Sequence, residues 1–157
     1  MCSGGEDERF ICISEVCARY FRTHSYRRPT NIEMPIVEVG GLDSGRKPSR
    51  LEKPVTVHAH HLINPWRAIK KREIDNTTNA IEAWIRARGH AKKFDKVVNV
   101  AIKALRENKH VRIVCRAGRH RSQAVARCVV SQLPHMMIEL NFLEEVTPVS
   151  TVAQSVS

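Results

Sequence analysis

Residues 111–122 read VRIVCRAGRHRS, and this stretch decides the fold. His110–Val114 is a short apolar run typical of a buried strand. Cys115–Arg121 then forms a turn, and Ser122 opens a predicted helix that runs through Leu133 and ends before Pro134. A strand that passes through a tight turn into a helix is the unit of an α/β sheet, and such sheets bind ligands at this kind of turn.

Outward from this stretch, strands alternate with helices. The pattern predicts strands at Pro35–Val39, Val55–Leu62 and Met136–Leu140, a charged loop at Arg67–Asn76, and helices at Thr78–Arg88 and Ala91–Asn108. This order predicts a single α/β domain with a mainly parallel sheet and helices packed on it. We assign that domain to residues 35–146. Residues 1–34 are an extension of unclear structure, and the Ser/Thr/Val-rich tail 147–157 is expected to be disordered.

Composition excludes several classes of protein. Of the 157 residues, 42% are hydrophobic, which is too many for a wholly disordered chain. No run approaches the ~20 apolar residues of a membrane span, and the acidic start is not a secretory signal, so we expect a cytoplasmic protein. The five cysteines match no zinc-ribbon spacing and read as reduced thiols. No metal and no other cofactor is expected.

The positive charge is concentrated in the middle of the chain. The net charge is +10, yet residues 46–127 contain 21 basic and 6 acidic side chains, a net +15, so the two flanks together carry −5. A basic block of this kind indicates an anionic partner, such as a phosphorylated small molecule or nucleic acid. A solvated, lysine-rich surface is the alternative.

The turn itself has the features of an oxyanion site. Ala117 and Gly118 allow close approach to the main chain, whose successive N–H groups form an anion-binding nest. The predicted helix from Ser122 adds free N–H groups and the positive end of its dipole. Guanidinium and imidazole donors come from Arg116, Arg119, His120 and Arg121. The turn lacks the Gly-Lys-Ser/Thr ending of an ATP-binding loop. The alternative to an oxyanion site is a basic surface turn that joins a strand to a helix.

The same turn resembles the signature of cysteine-dependent phosphatases, in which Cys, five residues and Arg-Ser/Thr join a strand to a helix. Cys115 and Arg121-Ser122 satisfy this spacing. The resemblance implies a thiolate nucleophile at Cys115 and a general acid, for which Asp75 is the candidate. The His that usually precedes the cysteine in that family is Val114 here.

A longer resemblance covers about residues 35–144, which are similar to the C-terminal domain of the RNase-adaptor RapZ family. The family loop Gly-Cys-Thr-Gly-Gly-Lys/Arg-His-Arg-Ser is matched at Cys115, Gly118, Arg119, His120, Arg121 and Ser122. Its upstream Leu-x-Asn-Pro is matched at Leu62, Asn64 and Pro65. The resemblance implies a binding or regulatory module that holds an amino-sugar phosphate, binds RNA and self-associates, rather than a catalyst.

The chain also departs from that family. It has no segment matching the family's N-terminal ATP-binding domain, so nucleotide hydrolysis is not implied. His58-Ala59-His60 stands where the family has Asp-x-Arg, and Arg116-Ala117 stands where it has Thr-Gly. The basic ending that helps the family bind RNA is replaced by residues 140–144, LNFLE. The phosphate loop is therefore retained. The family residues linked to sugar identity and to RNA binding are replaced, so the resemblance supports these two properties less.

The resulting hypothesis is a phosphate-binding regulatory module. The predicted ligand-binding residues are Cys115, Arg116, Ala117, Gly118, Arg119, His120, Arg121, Ser122, Asn64 and His60. RNA contact is predicted at Lys70, Lys71 and Arg72, which otherwise form a solvated loop. His58, His60 and His61 suggest a metal site, since residues 58 and 60 would share one face of a strand; the alternative, which we favour, is that they border the pocket or simply pack. Trp66 and Trp84 are expected in the core or the pocket wall rather than as base-stacking groups. The partners expected are a phosphorylated small molecule, RNA and a second copy of the chain, with no membrane.

Overall fold

The structure is a computed structural model that describes residues 34–43 and 45–148. Nearly all of the predicted extension 1–34, and the tail beyond residue 148, lie outside the described residues. Within the described part of the chain, no helix has the length and apolar character needed to cross a bilayer.

Four parallel strands form one sheet, in the order β2-β3-β1-β4. The strands are β1 (Ile36–Gly41), β2 (Val55–His58), β3 (Val111–Cys115) and β4 (Glu139–Phe142). The two central strands are almost wholly buried. One face packs in the apolar core with the helices, whereas on the other face Glu38 pairs with Arg112 and accepts from the Arg50 N–H. The predicted α/β class with a mainly parallel sheet is confirmed.

Most strand boundaries differ from the prediction by one or two residues, and the two largest differences are at the end of β2 and the start of β4. Strand β2 ends at His58 rather than Leu62, because the chain turns there and the Leu62 N–H donates to the Ala59 carbonyl at 3.2 Å. Strand β4 begins at Glu139 rather than Met136, since Met137 is 79% exposed and β1 starts pairing with the segment only at Glu139. Both differences reflect tertiary pairing, which the local pattern does not contain.

Four α-helices connect the strands: α1 (Trp66–Lys70), α2 (Thr78–Ile85), α3 (Ala91–Arg106) and α4 (Arg121–Ser131). The first lies where a loop was predicted; it is a single turn with one buried side chain, Ala68, which gives too little periodicity to detect. The second begins as expected, with the Thr77 hydroxyl accepting from the Ala80 N–H at 3.3 Å. Between α2 and α3, Gly89 turns the chain with φ of +81°.

The core lies between the sheet and the helices. The predicted apolar face of α3 is buried there at Phe94, Val98, Ala101, Ile102 and Leu105, with Val97 partly buried at its margin. Helix α4 contributes a small-residue face that includes Ala124 and Ala126. Small side chains let α4 approach the sheet closely, which fixes its first turn beside the end of β3.

The segment after β4 is tied to the domain. Thr147 is 4% exposed, its N–H donates to Gln123 Oε1 at 2.6 Å, and its hydroxyl donates to the Arg119 carbonyl. The Pro148 carbonyl accepts from the Thr78 N–H at 2.8 Å. Residues 147–148 therefore contact α2, α4 and the loop that precedes α4.

Candidate functional site

The loop between β3 and α4 lies against the end of β1. Gly118 has φ of +73°, and a Cβ built there would lie 2.6 Å from main-chain atoms of both Gly40 and Gly41. Only glycine fits such a left-handed position in such close contact. The loop is therefore held directly on the central strand.

Hydrogen bonds join the loop to the residues that follow β1. The N–H groups of Leu42 and Asp43 donate to the Arg116 carbonyl at 2.9 and 3.0 Å. The register of the sheet explains this contact, because Gly41 pairs with Cys115 at the carboxyl ends of β1 and β3. Gly41 and Cys115, 74 positions apart in sequence, are thereby brought to one edge of the sheet, where ligands of open α/β sheets bind.

A cleft of about 380 Å³ opens at this edge. Its walls are formed by Asp43, Arg46, Asn64, Trp66, Cys115, Arg116, Ala117, Arg119, His120 and Arg121. Seven of the ten residues predicted to bind the ligand are in this set. Four guanidinium groups face one carboxylate among the described residues that line the cleft, so its charge favours an anion.

The other three predicted ligand-binding residues support the cleft from outside its wall. Gly118 lies beneath it against β1, and Ser122 is fully buried, with its hydroxyl 3.2 Å from Cys115 Sγ. His60 contributes its main-chain carbonyl, which accepts from Arg121 Nη1 at 2.7 Å. Asp75, the predicted general acid, is exposed between α1 and α2 and is not among the residues that line the cleft.

Cys115 forms part of the cleft floor. The Gly118 N–H donates to its sulfur at 3.2 Å, and the Ser122 hydroxyl lies at the same distance from the sulfur. The side chain is 3% exposed, yet it lines the cleft. The sulfur is thus held in one position between the loop and the first turn of α4.

Arg121 is the most buried cation of the site, with 6% of its surface exposed. Its Nη1 atom donates to the carbonyls of His60 and Leu62 at 2.7 and 2.8 Å. Burial lowers the pKa of Arg121 from its usual value, while the Cys115 sulfur beside it acts in the opposite direction. The guanidinium plane is fixed, and one edge of it is occupied by main-chain oxygens.

Aromatic and imidazole rings complete the cleft. Trp66 and His120 stack with their centroids 5.9 Å apart, and Trp66 is 52% exposed at the rim. Trp66 is therefore a wall residue rather than a core residue. Burial lowers the pKa of His120, and Arg119 and Arg121 lower it further, so the ring is neutral at neutral pH.

Sequence reasoning missed two members of the cleft, Asp43 and Arg46. Both follow β1 in a stretch that reads as an exposed polar loop. Arg46 Nη1 lies 3.4 Å from Glu144 Oε2, which orients its side chain across the loop. The Gly40-Gly41 ending of a strand was the available signal, because residues after adjacent parallel strands meet at one edge.

The histidine cluster borders the site. The His60 ring lies 5.1 Å from His58 and 3.8 Å from His61, measured between centroids. Burial lowers the pKa of His60, and His61 and His58 lower it further. Within residues 34–43 and 45–148, no group of three or more His, Cys, Asp or Glu side chains is arranged to hold a metal ion.

The predicted RNA-contacting residues lie away from the cleft wall. Lys70 ends α1, and Lys71 and Arg72 follow it; all three are exposed. Lys71 Nζ is 3.9 Å from Glu73 Oε1, an exposed pair that contributes little to stability. These side chains are available to solvent, and they begin one turn after the rim residue Trp66.

The fold and the cleft define the class of protein: an α/β domain with one parallel sheet, in which the loop before α4 lines a cationic cleft. Residues 47–144, more than half of the chain, match the family model of the RapZ C-terminal domain. The chain belongs to the RapZ C-terminal domain family, which confirms the resemblance seen in the sequence and indicates a regulatory or binding module. Neither the curated proteins nor the solved structures contain a match. The matched region excludes β1, Asp43 and Arg46.

Proposed function

We propose that the cleft binds the phosphoryl group of a small metabolite and that the domain acts as a binding or regulatory module. The observation that carries this proposal is the position of Arg121. Its Nη1 atom donates to two carbonyls, which holds the guanidinium in place, and the side chain lines the cleft, so its Nε–H and Nη2 donors remain for the sulfur of Cys115 and a ligand. A planar guanidinium fork matches two oxygens of a phosphoryl group.

The first turn of α4 supports the same assignment. The helix has 11 residues, and the His120 side chain at its N-cap makes no capping hydrogen bond. First-turn N–H groups and the positive end of the dipole therefore face the loop, where they favour an anion. Arg116, Arg119 and Arg46 surround the same volume.

The cleft is large enough for a phosphosugar. Its volume of about 380 Å³ is within the range of small-molecule sites. Trp66 offers an exposed ring face at the rim, and Asp43 offers a carboxylate. A sugar ring can pack on the former, and an ammonium or hydroxyl group can bind the latter. These features support an amino-sugar phosphate as the ligand.

Thermal denaturation of the full chain tests this assignment with glucosamine 6-phosphate, glucose 6-phosphate, glucosamine and sulfate. Binding to the native state raises Tm by mass action, so both phosphosugars should raise Tm and glucosamine should not. Arg116→Ala should reduce the shift, whereas Arg67→Ala, an exposed α1 residue outside the cleft wall, should retain it. A Tm that is unchanged by both phosphosugars and by sulfate would rule out the assignment.

RNA binding is a second candidate, supported by the three consecutive exposed cations Lys70, Lys71 and Arg72. Each phosphate contact adds to the salt dependence of binding, by roughly 0.7 in the log–log slope for a single strand. A triple alanine variant should therefore lower that slope by about 2 in gel-shift titrations. An unchanged slope would remove these residues from any RNA contact.

A further inference from the structure

The thiol on the cleft floor is not explained by anion binding alone. A site that only holds a phosphoryl group needs N–H and guanidinium donors, which the loop and Arg121 supply. A sulfur at the same place displaces one such donor. Yet Cys115 Sγ lines the cleft and receives two contacts of 3.2 Å, from the Gly118 N–H and the Ser122 hydroxyl.

Those two contacts suit a charged sulfur. A main-chain N–H can only donate, and a hydroxyl can donate when its partner is an anion. The first turn of α4 and the Arg121 guanidinium add positive charge on the same side. Together these groups surround the sulfur with hydrogen-bond donors and positive charge, which is the environment typical of reactive cysteines.

The other buried thiol of the described residues lacks this setting. Cys128 lies in α4. Its sulfur accepts from the Gln132 amide at 3.3 Å, and burial raises the pKa of its thiol. Cys128 lines no part of the cleft. The difference between the two cysteines shows that the environment of Cys115 is specific to the loop.

Arg121 and Asp43 supply the remaining groups that phosphoryl transfer needs. The Arg121 donors that do not bond the two carbonyls would hold oxygens of the phosphoryl group above the sulfur. Asp43 also lines the cleft, and its N–H donates to the Arg116 carbonyl of the loop. It is the carboxylate among the described wall residues, so it can carry the proton that the leaving oxygen requires.

We propose that Cys115 is the nucleophile of a phosphomonoester hydrolysis carried out in this cleft, with Arg121 binding the transferred group and Asp43 as general acid and base. The inference rests on the proposed function, since the same phosphoryl pocket must exist. In the first step the thiolate forms a bond to phosphorus, the ester P–O bond breaks, and Asp43 gives its proton to the leaving alkoxide. In the second, water attacks phosphocysteine, Asp43 takes its proton, and the P–S bond breaks to release inorganic phosphate and the thiolate.

The test measures phosphate release by the full chain from p-nitrophenyl phosphate, phenyl phosphate and glucosamine 6-phosphate. Cys115→Ser should reduce release by at least about 10³-fold, as expected for loss of a nucleophile. Cys128→Ser is the matched control, and it should retain activity. Sulfate-induced thermal stabilisation is measured on each variant, because it reports whether the pocket is intact.

The leaving group gives a second, independent readout. Asp43→Asn should lower hydrolysis of phenyl phosphate by about 10²-fold or more, because a poor leaving group needs the proton. The same variant should affect p-nitrophenyl phosphate by less than about tenfold, because its leaving group departs as an anion. Equal losses with both substrates would overturn the role of Asp43.

Acid quenching keeps the test decisive if Cys115→Ser does not fold. The wild-type chain is mixed with the substrate that it hydrolyses fastest and digested, and the peptide that contains Cys115 is examined for a phosphoryl adduct by mass spectrometry. An adduct on Cys115 supports the proposal. Sulfate stabilisation without phosphate release from any of the three substrates would overturn it and leave the binding function intact. Loss of both signals would instead overturn the binding function.

Discussion

The Nη1 atom of Arg121 lies 2.7 Å from the main-chain oxygen of His60, a residue 61 positions earlier in the chain. The contact joins the first turn of α4 to the segment that leaves β2, on the opposite side of β3 from β1. The same nitrogen reaches the Leu62 carbonyl at 2.8 Å. One side chain therefore connects the floor of the cleft to the turn that leads to the rim residues Asn64 and Trp66.

Arg121→Lys should both destabilise the domain and abolish anion binding. Lysine keeps the charge but has no planar fork, so it cannot bond two carbonyls and an anion together. We expect a loss of roughly 2–4 kcal/mol in the free energy of unfolding, because buried oxygens lose a charged donor. Urea denaturation measures the loss, and sulfate-induced thermal shift measures binding.

Arg127→Lys is the control for this substitution, since Arg127 belongs to the same helix and its guanidinium lies over Phe142, away from the cleft. It should leave sulfate binding unchanged. If Arg121→Lys retains wild-type sulfate affinity, the fork is not what holds the anion.

Gly118→Ala should be far more damaging than Gly89→Ala. Both glycines have positive φ, +73° and +81°, but a Cβ at Gly118 would meet β1 main-chain atoms at 2.6 Å, whereas nothing lies within 4 Å at Gly89. The backbone strain alone costs on the order of 1–2 kcal/mol at each position. The clash at Gly118 adds to this, so its midpoint in urea should fall well below that of Gly89→Ala. Equal midpoints would show that the loop does not rest on β1.

The fold was predictable because its signals are local. The apolar stripe of α3 and the apolar runs of β1 and β3 are each contained within a few residues. The order β2-β3-β1-β4 was not predictable, because it depends on pairings between distant segments. The short helix α1 escaped detection for the opposite reason: one turn is too short to show a period.

The site residues also differ in whether a local sequence signal identifies them. Residues 115–122 were recognised because strand, glycine turn and helix start follow one another directly in the sequence. Asp43 and Arg46 were not recognised, because only the Gly41–Cys115 register brings them to the loop. The orientation of the Arg121 guanidinium depends on the carbonyls of His60 and Leu62. Every residue has a main-chain carbonyl, so the sequence could not predict this orientation.

Gln123→Glu should loosen the contact between the loop and residues 145–147. The Gln123 amide is fully buried; its Nε2 donates to the carbonyls of Gly118 and Glu145 at 3.1 and 2.7 Å, and its Oε1 accepts from Thr147. A carboxylate of the same shape would face two carbonyls without a donor, which costs on the order of 3 kcal/mol. Urea denaturation at pH 8 measures this loss. Gln132→Glu, at the exposed C-cap position at the other end of the same helix, should change stability by less than about 1 kcal/mol.

Two histidines should make the domain less stable in acid. Burial is the main cause that lowers the pKa of both His60 and His120 below the usual 6.5, and nearby cationic groups add to it. The folded state therefore binds fewer protons than the unfolded state in this range. Their contribution to stability is complete above about pH 6.5 and is lost as the pH falls through the lowered folded values.

The measurement is Tm between pH 8 and pH 5.5, in wild type and in His120→Gln. The variant should show a shallower decline, because one of the two sites no longer takes up a proton on unfolding. His135→Gln, at an exposed position between α4 and β4, should follow wild type.

The affinity for sulfate should also depend on pH. Sulfate does not titrate in this range, and an anion beside His120 favours its protonated form, so sulfate should bind more tightly as the pH falls. A sulfate affinity that is constant from pH 8 to pH 5.5 would show that the anion does not lie beside His120.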